Sequence, residues 1–282
     1  MTIYYHATVR GRKLFCREAG PRDAPTIVLL HGFPSSSHMF RHLIPQLADK
    51  FHVIAPDYVG FGYSDAPNAN EFEYTFNNLA AHVEELLFEV LGLKKFSIYV
   101  QDYGAPVGYR IASKHQDAIE GIVVQNGNAY VDGIGGAFDP MKPSGSIGTW
   151  RRRSRYELYS RKRPPFSSTR MVSRIRSRSV PMPIRLTSSF STDRPGNDAI
   201  QLDLLHDYQS NIALYDSWHE YFRNQQPRML IVWGKNDPFF TVEGAKAYQR
   251  DLPKAELRLI DTGHFALEDS SEFIAARRGF LG

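Results

Sequence analysis

The sequence predicts an α/β fold with a mostly parallel central sheet and helices on both faces. Three observations predict it. Short segments rich in β-branched residues alternate with longer segments of helical periodicity, the first two strand-like segments are close enough to pair as a hairpin, and the alternation resumes after an interruption. With 282 residues, 42% of them apolar and 13% aromatic, the chain can build a sizeable core, which excludes a disordered or fibrous protein.

Eight segments have the length and apolar content of strands. They are Ile3–Val9, Leu14–Arg17, Thr26–Leu30, His52–Ala55, Phe96–Val100, Gly121–Gln125, Met229–Trp233 and Glu256–Ile260. Parallel strands need crossover connections, and most of the predicted helices lie between these segments. The predicted helices are Ser37–Asp49, Phe76–Leu91, Ala105–Lys114, Glu243–Leu252 and Ser270–Phe280. The second helix is expected to bury one face, formed by Leu79, Val83, Leu86, Leu87 and Val90.

The alternation of predicted strands and helices stops within the chain and later resumes, which divides the chain into a core and an insertion. Residues 1–130 and 228–282 are expected to form the two parts of the core, and residues 131–227 an insertion between them. In open α/β sheets, ligands bind at the carboxyl ends of the strands. We therefore expect the insertion to cover that edge as a lid.

Polar residues with catalytic potential directly follow four predicted strands. They occur in His31-Gly32-Phe33-Pro34, in Asp102-Tyr103-Gly104-Ala105, and at Asp237 and His264. Each has an ordinary explanation when taken alone: an aspartate can cap a helix or stabilise a turn, and a histidine can satisfy a buried hydrogen bond. Their order along the chain, however, is nucleophile, acid and histidine.

These motifs, together with the turn Gly60-Phe61-Gly62-Tyr63-Ser64-Asp65, resemble the α/β-hydrolase superfamily over about residues 1–141 and 193–282. Within it, the chain is similar to epoxide hydrolases and haloalkane dehalogenases, because Asp102 stands where esterases carry serine. The nearest match to a Gly-x-Ser-x-Gly elbow, Ser144-Gly145-Ser146-Ile147-Gly148, follows no predicted strand.

An aspartate nucleophile suits displacement at a saturated carbon. Serine would form a stable ether there, whereas a carboxylate forms an ester that water can hydrolyse. The expected roles are attack by Asp102, activation of water by His264 and orientation of the imidazole by Asp237. The backbone N–H groups of Phe33 and Tyr103 are expected to stabilise the oxyanion, and His31, Gly32, Pro34 and Gly104 to support the motifs.

The resemblance leaves two substrate classes open. Dehalogenases hold the departing halide with a Trp after the nucleophile and a second Asn or Trp, but this chain has Tyr103 and Phe33 at those places. Epoxide hydrolases protonate the leaving oxygen with phenols of the lid, and Tyr208 corresponds to one of them. Tyr208 has an ordinary alternative, since buried tyrosines commonly only pack and hydrogen-bond. Tyr156 or Tyr159 is a candidate for the other by position. We expect an epoxide hydrolase, with a haloalkane dehalogenase or a non-catalytic binding protein as alternatives.

One segment carries the excess positive charge. Residues 142–194 contain fourteen basic and two acidic residues, net +12, which leaves 20 basic and 28 acidic residues, net −8, elsewhere. Three interpretations are open: a solvated segment, a patch for a phosphate-rich partner, or, as we favour, two compensating frame changes in the gene. If that part of the lid cannot fold, we expect weak or absent turnover. The nucleotide sequence tests the third interpretation, which requires another frame to encode a lid-like helical pattern.

The remaining features restrict cofactors, partners and compartment. His38 and His42 have helical i, i+4 spacing but no accompanying carboxylate, so no metal site is expected, and no cofactor motif is present. The core is acidic, so no nucleic-acid partner is expected, and no apolar run is long enough for a membrane span. A single cysteine, Cys16, and no recognisable signal peptide favour the cytoplasm. The expected partner is a small-molecule substrate; the oligomeric state stays open.

Overall fold

The central sheet of the computed structural model, which describes residues 1–136 and 197–269, contains eight strands. They are β1 (Ile3–Val9), β2 (Arg12–Ala19), β3 (Thr26–Leu30), β4 (His52–Pro56), β5 (Phe96–Gln101), β6 (Ile119–Gln125), β7 (Met229–Gly234) and β8 (Glu256–Ile260). Every predicted strand is present, and five of them extend beyond their predicted bounds. The predicted fold class is therefore confirmed.

The strands are ordered β1-β2-β4-β3-β5-β6-β7-β8 across the sheet. The pairs β1–β2 and β2–β4 are antiparallel, and every other pair is parallel. Arg10 and Gly11 both have positive φ, of 49° and 74°, as a two-residue hairpin turn between right-twisted strands requires. The parallel part places the carboxyl ends of β3, β5, β6, β7 and β8 along one edge.

The described helices lie between and after these strands. They are α1 (Ile44–Leu47), α2 (Phe76–Glu85), α3 (Gly104–Lys114), α4 (Asn197–Ile212), α5 (Tyr215–Gln225), α6 (Val242–Asp251) and α7 (Ala266–Asp269). The prediction of one helix over Ser37–Asp49 is wrong. A 3-10 turn, Ser37–Phe40, precedes the short α1, and Pro45 has no N–H with which to continue a helical ladder.

The second predicted helix changes type near its end. Regular α2 stops at Glu85, and a π-helical turn follows over Leu86–Val90. A π turn holds more residues than an α turn, so it rotates the following side chains around the axis. As a result Val90 is 48% exposed instead of buried, whereas the other four residues of the predicted face are buried.

Helices α4 and α5 were not predicted. The pattern of α5 does contain an apolar stripe, formed by Tyr215, Trp218, Tyr221 and Phe222, whereas α4 has none. The buried side of α4 mixes amides with apolar groups, and Asn197 and Gln201 are as buried as Leu204. Periodicity that counts only apolar residues misses such a helix.

The core forms two apolar layers, one on each face of the sheet. Alternate residues of each strand enter opposite layers, as the pleat requires, so Val28 and Leu30 lie in one layer and Ile27 and Leu29 in the other. Cys16 is fully buried in the first layer.

Several predictions fall outside the described residues: the closing helix Ser270–Phe280, the basic segment 142–194, the serine motif Ser144–Gly148, and Tyr156 and Tyr159. Within 1–136 and 197–269, no helix is long and apolar enough to cross a membrane. No group of three or more potential metal ligands occurs in the same two ranges.

Candidate active site

Asp102 lies at an abrupt turn between β5 and α3, with a φ of +49° that non-glycine residues rarely adopt. The turn is possible because neighbouring positions lack side chains. A Cβ on Gly104 would lie 2.1 Å from the Leu30 carbonyl oxygen, and one on Gly32 would lie 2.3 Å from Asp102 Cβ. Strained backbone of this kind is concentrated at functional sites, where it projects a side chain from the edge of the sheet.

The loop after β3 holds one oxygen of this carboxylate. The backbone N–H of Phe33 donates to Asp102 Oδ1 at 2.7 Å. Pro34 follows Phe33 through a cis peptide bond, and Gly32 O accepts from Ser35 N at 2.9 Å, which closes the loop into a turn. The loop therefore directs a backbone donor at the carboxylate.

His31, at the start of this loop, holds it in place as a neutral imidazole. Its Nδ1 lies 3.2 Å from Gly32 O, which only accepts, and its Nε2 lies 3.3 Å from Tyr58 N, which only donates. Burial lowers the pKa of His31, despite opposing effects of Asp57, the Gly32 carbonyl and Asp102. These contacts fix both the ring and its tautomer.

His264, just after β8, lies between two carboxylates. Its Nδ1 donates to Asp237 Oδ2 at 2.7 Å, and its Nε2 lies 3.5 Å from Asp102 Oδ2. Burial by itself lowers the pKa of His264, but the charges and hydrogen bonds of Asp237 and Asp102 outweigh it and raise the pKa to about 10. The structure thus brings the three residues of the predicted triad together, with the imidazole between the two carboxylates.

Asp237, which follows β7, accepts hydrogen bonds at both oxygens. Oδ1 accepts from the backbone N–H groups of Phe239 and Phe240 at 2.8 and 3.2 Å. Oδ2 accepts from His264 and from the Asn126 side-chain amide, each at 2.7 Å. This arrangement holds the carboxylate in one orientation toward the imidazole.

Sequence reasoning missed two residues that contact the triad. Asn126, just after β6 with φ +42°, donates to Asp237 and accepts from Gly234 N at 2.9 Å. Gln101 places its side-chain nitrogen 3.3 Å from His264 Nε2. Each is a polar residue at or just past the carboxyl end of a buried strand, which is the signal that could have identified it.

An aromatic wall faces Asp102. The Tyr103 ring lies 5.8 Å from Phe33, 4.9 Å from Phe76 and 6.4 Å from Tyr208, measured between ring centroids. Tyr208 stacks 6.3 Å from Phe240, which in turn lies 5.7 Å from His264. The predicted lid tyrosine therefore lies among the residues that surround the triad.

The phenols in this wall stay protonated at neutral pH. Burial raises the pKa of Tyr208 well above its ordinary value, reinforced by Tyr215, to which Tyr208 is hydrogen-bonded, and by the Asp102 charge. Burial and the Asp102 charge raise the pKa of Tyr103 in the same way. Within the described residues the Tyr103 hydroxyl has no hydrogen-bond partner. It is therefore a second buried phenol, which sequence reasoning considered as an oxyanion donor through its backbone and as a replacement for the dehalogenase Trp, but not as an acid.

Helix α4, which carries Tyr208, is fixed to the core by polar contacts. Asp207 Oδ2 accepts from Phe76 N at 2.7 Å, at the start of α2. On α3, Arg110 donates to Asn211 Oδ1 at 2.7 Å and to Ser210 Oγ at 3.1 Å. These bonds determine where the Tyr208 ring lies relative to Asp102.

Comparison with known proteins identifies the family of this chain. Residues 25–271 match the family described as alpha/beta hydrolase fold. An uncharacterized hydrolase of Saccharomyces cerevisiae is 39% identical over 92% of this chain and 89% of its own. A haloalkane dehalogenase of Mycobacterium marinum is 31% identical over 92% of this chain and 85% of its own.

Solved structures show the same fold. The crystal structure of haloalkane dehalogenase DbeA from Bradyrhizobium elkani USDA94 superposes with a TM-score of 0.76 at 19% identity. The superposition covers 100% of this chain and 98% of that one. The match over residues 25–271 and the 31% identity with a full-length relative decide the assignment. This chain is a hydrolase of the alpha/beta hydrolase fold family, in the haloalkane dehalogenase-like branch.

Proposed function

We propose that this hydrolase opens an epoxide through a covalent ester on Asp102. The observation that carries the proposal is a carboxylate, not a hydroxyl, at the strained turn, facing a paired His264–Asp237 and buried phenols. A carboxylate is ionised at neutral pH without a base, and it forms a hydrolysable ester at a saturated carbon.

The first step uses the two oxygens of Asp102 differently. Oδ1 accepts from Phe33 N at 2.7 Å, whereas Oδ2 has the longer 3.5 Å contact with His264 Nε2, so Oδ2 is the oxygen expected to attack the epoxide carbon. The C–O bond of the ring breaks, its electron pair stays on the leaving oxygen, and the Tyr208 phenol donates a proton to that oxygen. Oδ1 becomes the ester carbonyl oxygen and keeps its contact with Phe33 N.

Formation of the ester prepares His264 for the second step. The Asp102 charge is one of the causes of the raised pKa of His264. Esterification removes that charge, so the pKa falls and the imidazolium can give its Nε2 proton to the Tyr208 phenolate formed in the first step. The neutral imidazole can then accept a proton from water. His264 is therefore a cation during the first step and a base during the second.

The second step hydrolyses the ester. His264 Nε2 takes a proton while the water oxygen bonds to the carbonyl carbon, and the N–H groups of Phe33 and Tyr103 stabilise the oxyanion on Oδ1. Collapse breaks the ester bond and restores Asp102 with one oxygen from water. Of the two protons of water, one ends on the second diol oxygen and the other on His264, which is again a cation, so the reaction is epoxide plus water to diol.

The nature of the donors favours an epoxide over a haloalkane. A halide leaves as an anion that needs hydrogen-bond donors, and of the Phe33 and Tyr103 side chains only Tyr103, through its O–H, supplies one. An epoxide oxygen needs a proton, and Tyr208 and Tyr103 are buried phenols. Haloalkane dehalogenation is the second candidate, favoured by the Mycobacterium marinum relative.

Two further features belong to the proposal. We place α4 and α5 in a lid formed by residues 131–227 between core parts 1–130 and 228–282. We also place the protein in the cytoplasm, where thiols stay reduced. Its one cysteine, Cys16, is a free thiol, and burial is the main cause that raises its pKa to about 12.

A single turnover in water enriched in oxygen-18 tests the ester. With enzyme in excess over epoxide, the label is expected in the Asp102 side chain and not in the diol, because the diol receives its new oxygen from the carboxylate. Label in the diol after one turnover would mean that water attacks the epoxide directly. A parallel assay of a panel of epoxides and haloalkanes separates the two substrate classes.

A further inference from the structure

Helix α4 carries two buried amides that the proposed reaction does not use. Asn197 is 1% exposed and Gln201 is 2% exposed. Within the described residues, neither the nitrogen nor the oxygen of either side-chain amide has a hydrogen-bond partner. Leaving one buried polar group unpaired costs about 1–3 kcal/mol, so four open donor and acceptor atoms indicate a group that binds there.

These amides lie on the same face of α4 as Tyr208. Positions 197, 201, 204 and 208 follow one another at steps of four, three and four residues, which is one face of an α-helix. Leu204, between them, is fully buried. With a rise of 1.5 Å per residue, Gln201 lies about 10 Å from Tyr208 along the helix axis.

This end of α4 packs near the edge of the sheet where the triad lies. A Cβ on Gly60, in the turn after β4, would lie 3.1 Å from Cγ2 of Ile200. Ile200 immediately precedes Gln201 and is 4% exposed. The amides are therefore close to the carboxyl edge, with Gln201 about two and Asn197 about three turns of helix from Tyr208.

The chemistry of the pair selects a neutral partner. Each primary amide offers a donor and an acceptor and carries no charge. A buried ion would need an opposite charge, which the pair does not supply. A carboxamide or a hydroxyl group, each of which both donates and accepts, fits the pair.

We propose that Asn197 and Gln201 form a subsite for a neutral hydrogen-bonding group of the substrate, a carboxamide or hydroxyl, about two to three helical turns from Tyr208. The subsite rests on the proposed function for what happens at that carbon. Binding at the amides, however, does not require turnover, so the two are tested separately.

The binding test compares hexanamide with its methyl-ketone isostere, heptan-2-one, by calorimetry. The wild-type protein is expected to bind hexanamide about tenfold more tightly, the effect of a net gain near 1.4 kcal/mol from the added N–H donor. Gln201→Leu is expected to abolish that preference and to leave heptan-2-one binding unchanged. Gln209→Leu, on the same helix, is the control, because Gln209 bonds only within its own helix at His206 and is expected to keep the preference.

Equal binding of the two isosteres by the wild-type protein would overturn the proposal. So would a Gln201→Leu variant that keeps the preference but unfolds at a lower temperature, because the amide would then support the fold. If Gln201→Leu does not fold, the wild-type comparison and Asn197→Leu decide.

A kinetic comparison separates this subsite from the proposed reaction. An epoxide whose chain ends in a carboxamide is expected to have a kcat/KM about tenfold above that of its methyl-ketone isostere, and Gln201→Leu to equalise the two. If neither epoxide is turned over while hexanamide is still preferred, the reaction is wrong and the subsite stands. If both are turned over equally, the subsite is wrong and the reaction stands.

Discussion

At the scale of single residues, the site depends on one imidazole shared by two carboxylates. Asp237 lies 2.7 Å from Nδ1 of His264, and Asp102 lies 3.5 Å from Nε2. In the proposed reaction the contact of His264 with Asp237 persists, whereas esterification of Asp102 removes the negative charge that faces Nε2. The protonation state of His264 thus depends on whether the nucleophile is free.

Replacing Asp102 by Asn is expected to lower the pKa of His264 from about 10, because the neutral amide keeps the shape of the carboxylate and removes its charge. NMR titration of the imidazole between pH 5 and 11 measures the change. Asp261→Asn, which alters an exposed carboxylate three residues away, is the matched control and is expected to leave the pKa unchanged. An unaltered pKa in Asp102→Asn would contradict the proposed switch.

Asn126→Gly is expected to reduce kcat about 10- to 100-fold, the effect of losing a hydrogen bond to a charged group, worth about 1.5–3 kcal/mol. Glycine accepts the φ of +42° at this position, so the change removes the amide without adding backbone strain. The His264 Nδ1 proton resonance is expected to shift as Asp237 loses one of its donors. Unchanged kcat with an unchanged resonance would show that Asn126 does not position the acid.

The residue scale also shows which contacts sequence can predict. Asp102, Asp237 and His264 lie in short motifs that follow strands, so a local reading identifies them, although their chemical roles stay predictions. Asn126 and Gln101 were missed because their importance lies in contacts with residues 111 and 163 positions away in the chain. Only the packing of neighbouring strands brings those pairs together.

At the scale of elements, the turn between β5 and α3 is tightly constrained. A Cβ on Gly104 would lie 2.1 Å from the Leu30 carbonyl oxygen, so α3 packs against β3 only because the side chain is absent. The Leu30 carbonyl belongs to the backbone, which cannot move aside as a flexible side chain can. The absence of a side chain at Gly104 therefore permits both the close approach of α3 to β3 and the position of Asp102.

Gly104→Ala is expected to destabilise the protein by about 1–3 kcal/mol or more, the usual cost of overpacking, and to displace Asp102. Chemical denaturation measures the first effect and turnover the second. Gly121→Ala is the matched control, because its Cβ would meet the nearest atom at an ordinary 3.4 Å. Equal stability of the two variants would contradict the packing argument.

Strands were easier to predict than helices for a physical reason. Strands buried on both faces are near-continuous apolar runs, and all eight predicted strands are present. Helical periodicity was misleading where a proline or a π turn altered the geometry, at Ser37–Asp49 and at Val90. Helical periodicity gave no indication of α4, because the buried face of that helix contains the amides of Asn197 and Gln201.

At the scale of the whole molecule, parallel topology assembles the candidate site. Phe33, Asp102, Asn126, Asp237 and His264 follow five different strands, yet all lie at one edge because those strands run in the same direction. The fold class followed from the alternation of strands and helices alone. Outside residues 142–194 the chain carries a net charge of −8. The overall net charge of +4 therefore arises from that segment and does not describe the residues at this edge.

The most direct test of the central claim is the mass of a trapped intermediate. His264→Gln removes the base for ester hydrolysis, so incubation with an epoxide is expected to add the full mass of that epoxide to the peptide containing Asp102. A haloalkane would add its mass less that of the hydrogen halide, which distinguishes the second candidate. The double variant Asp102→Asn, His264→Gln is expected to gain nothing. Absence of any adduct on Asp102 with epoxides and haloalkanes alike would contradict the ester mechanism.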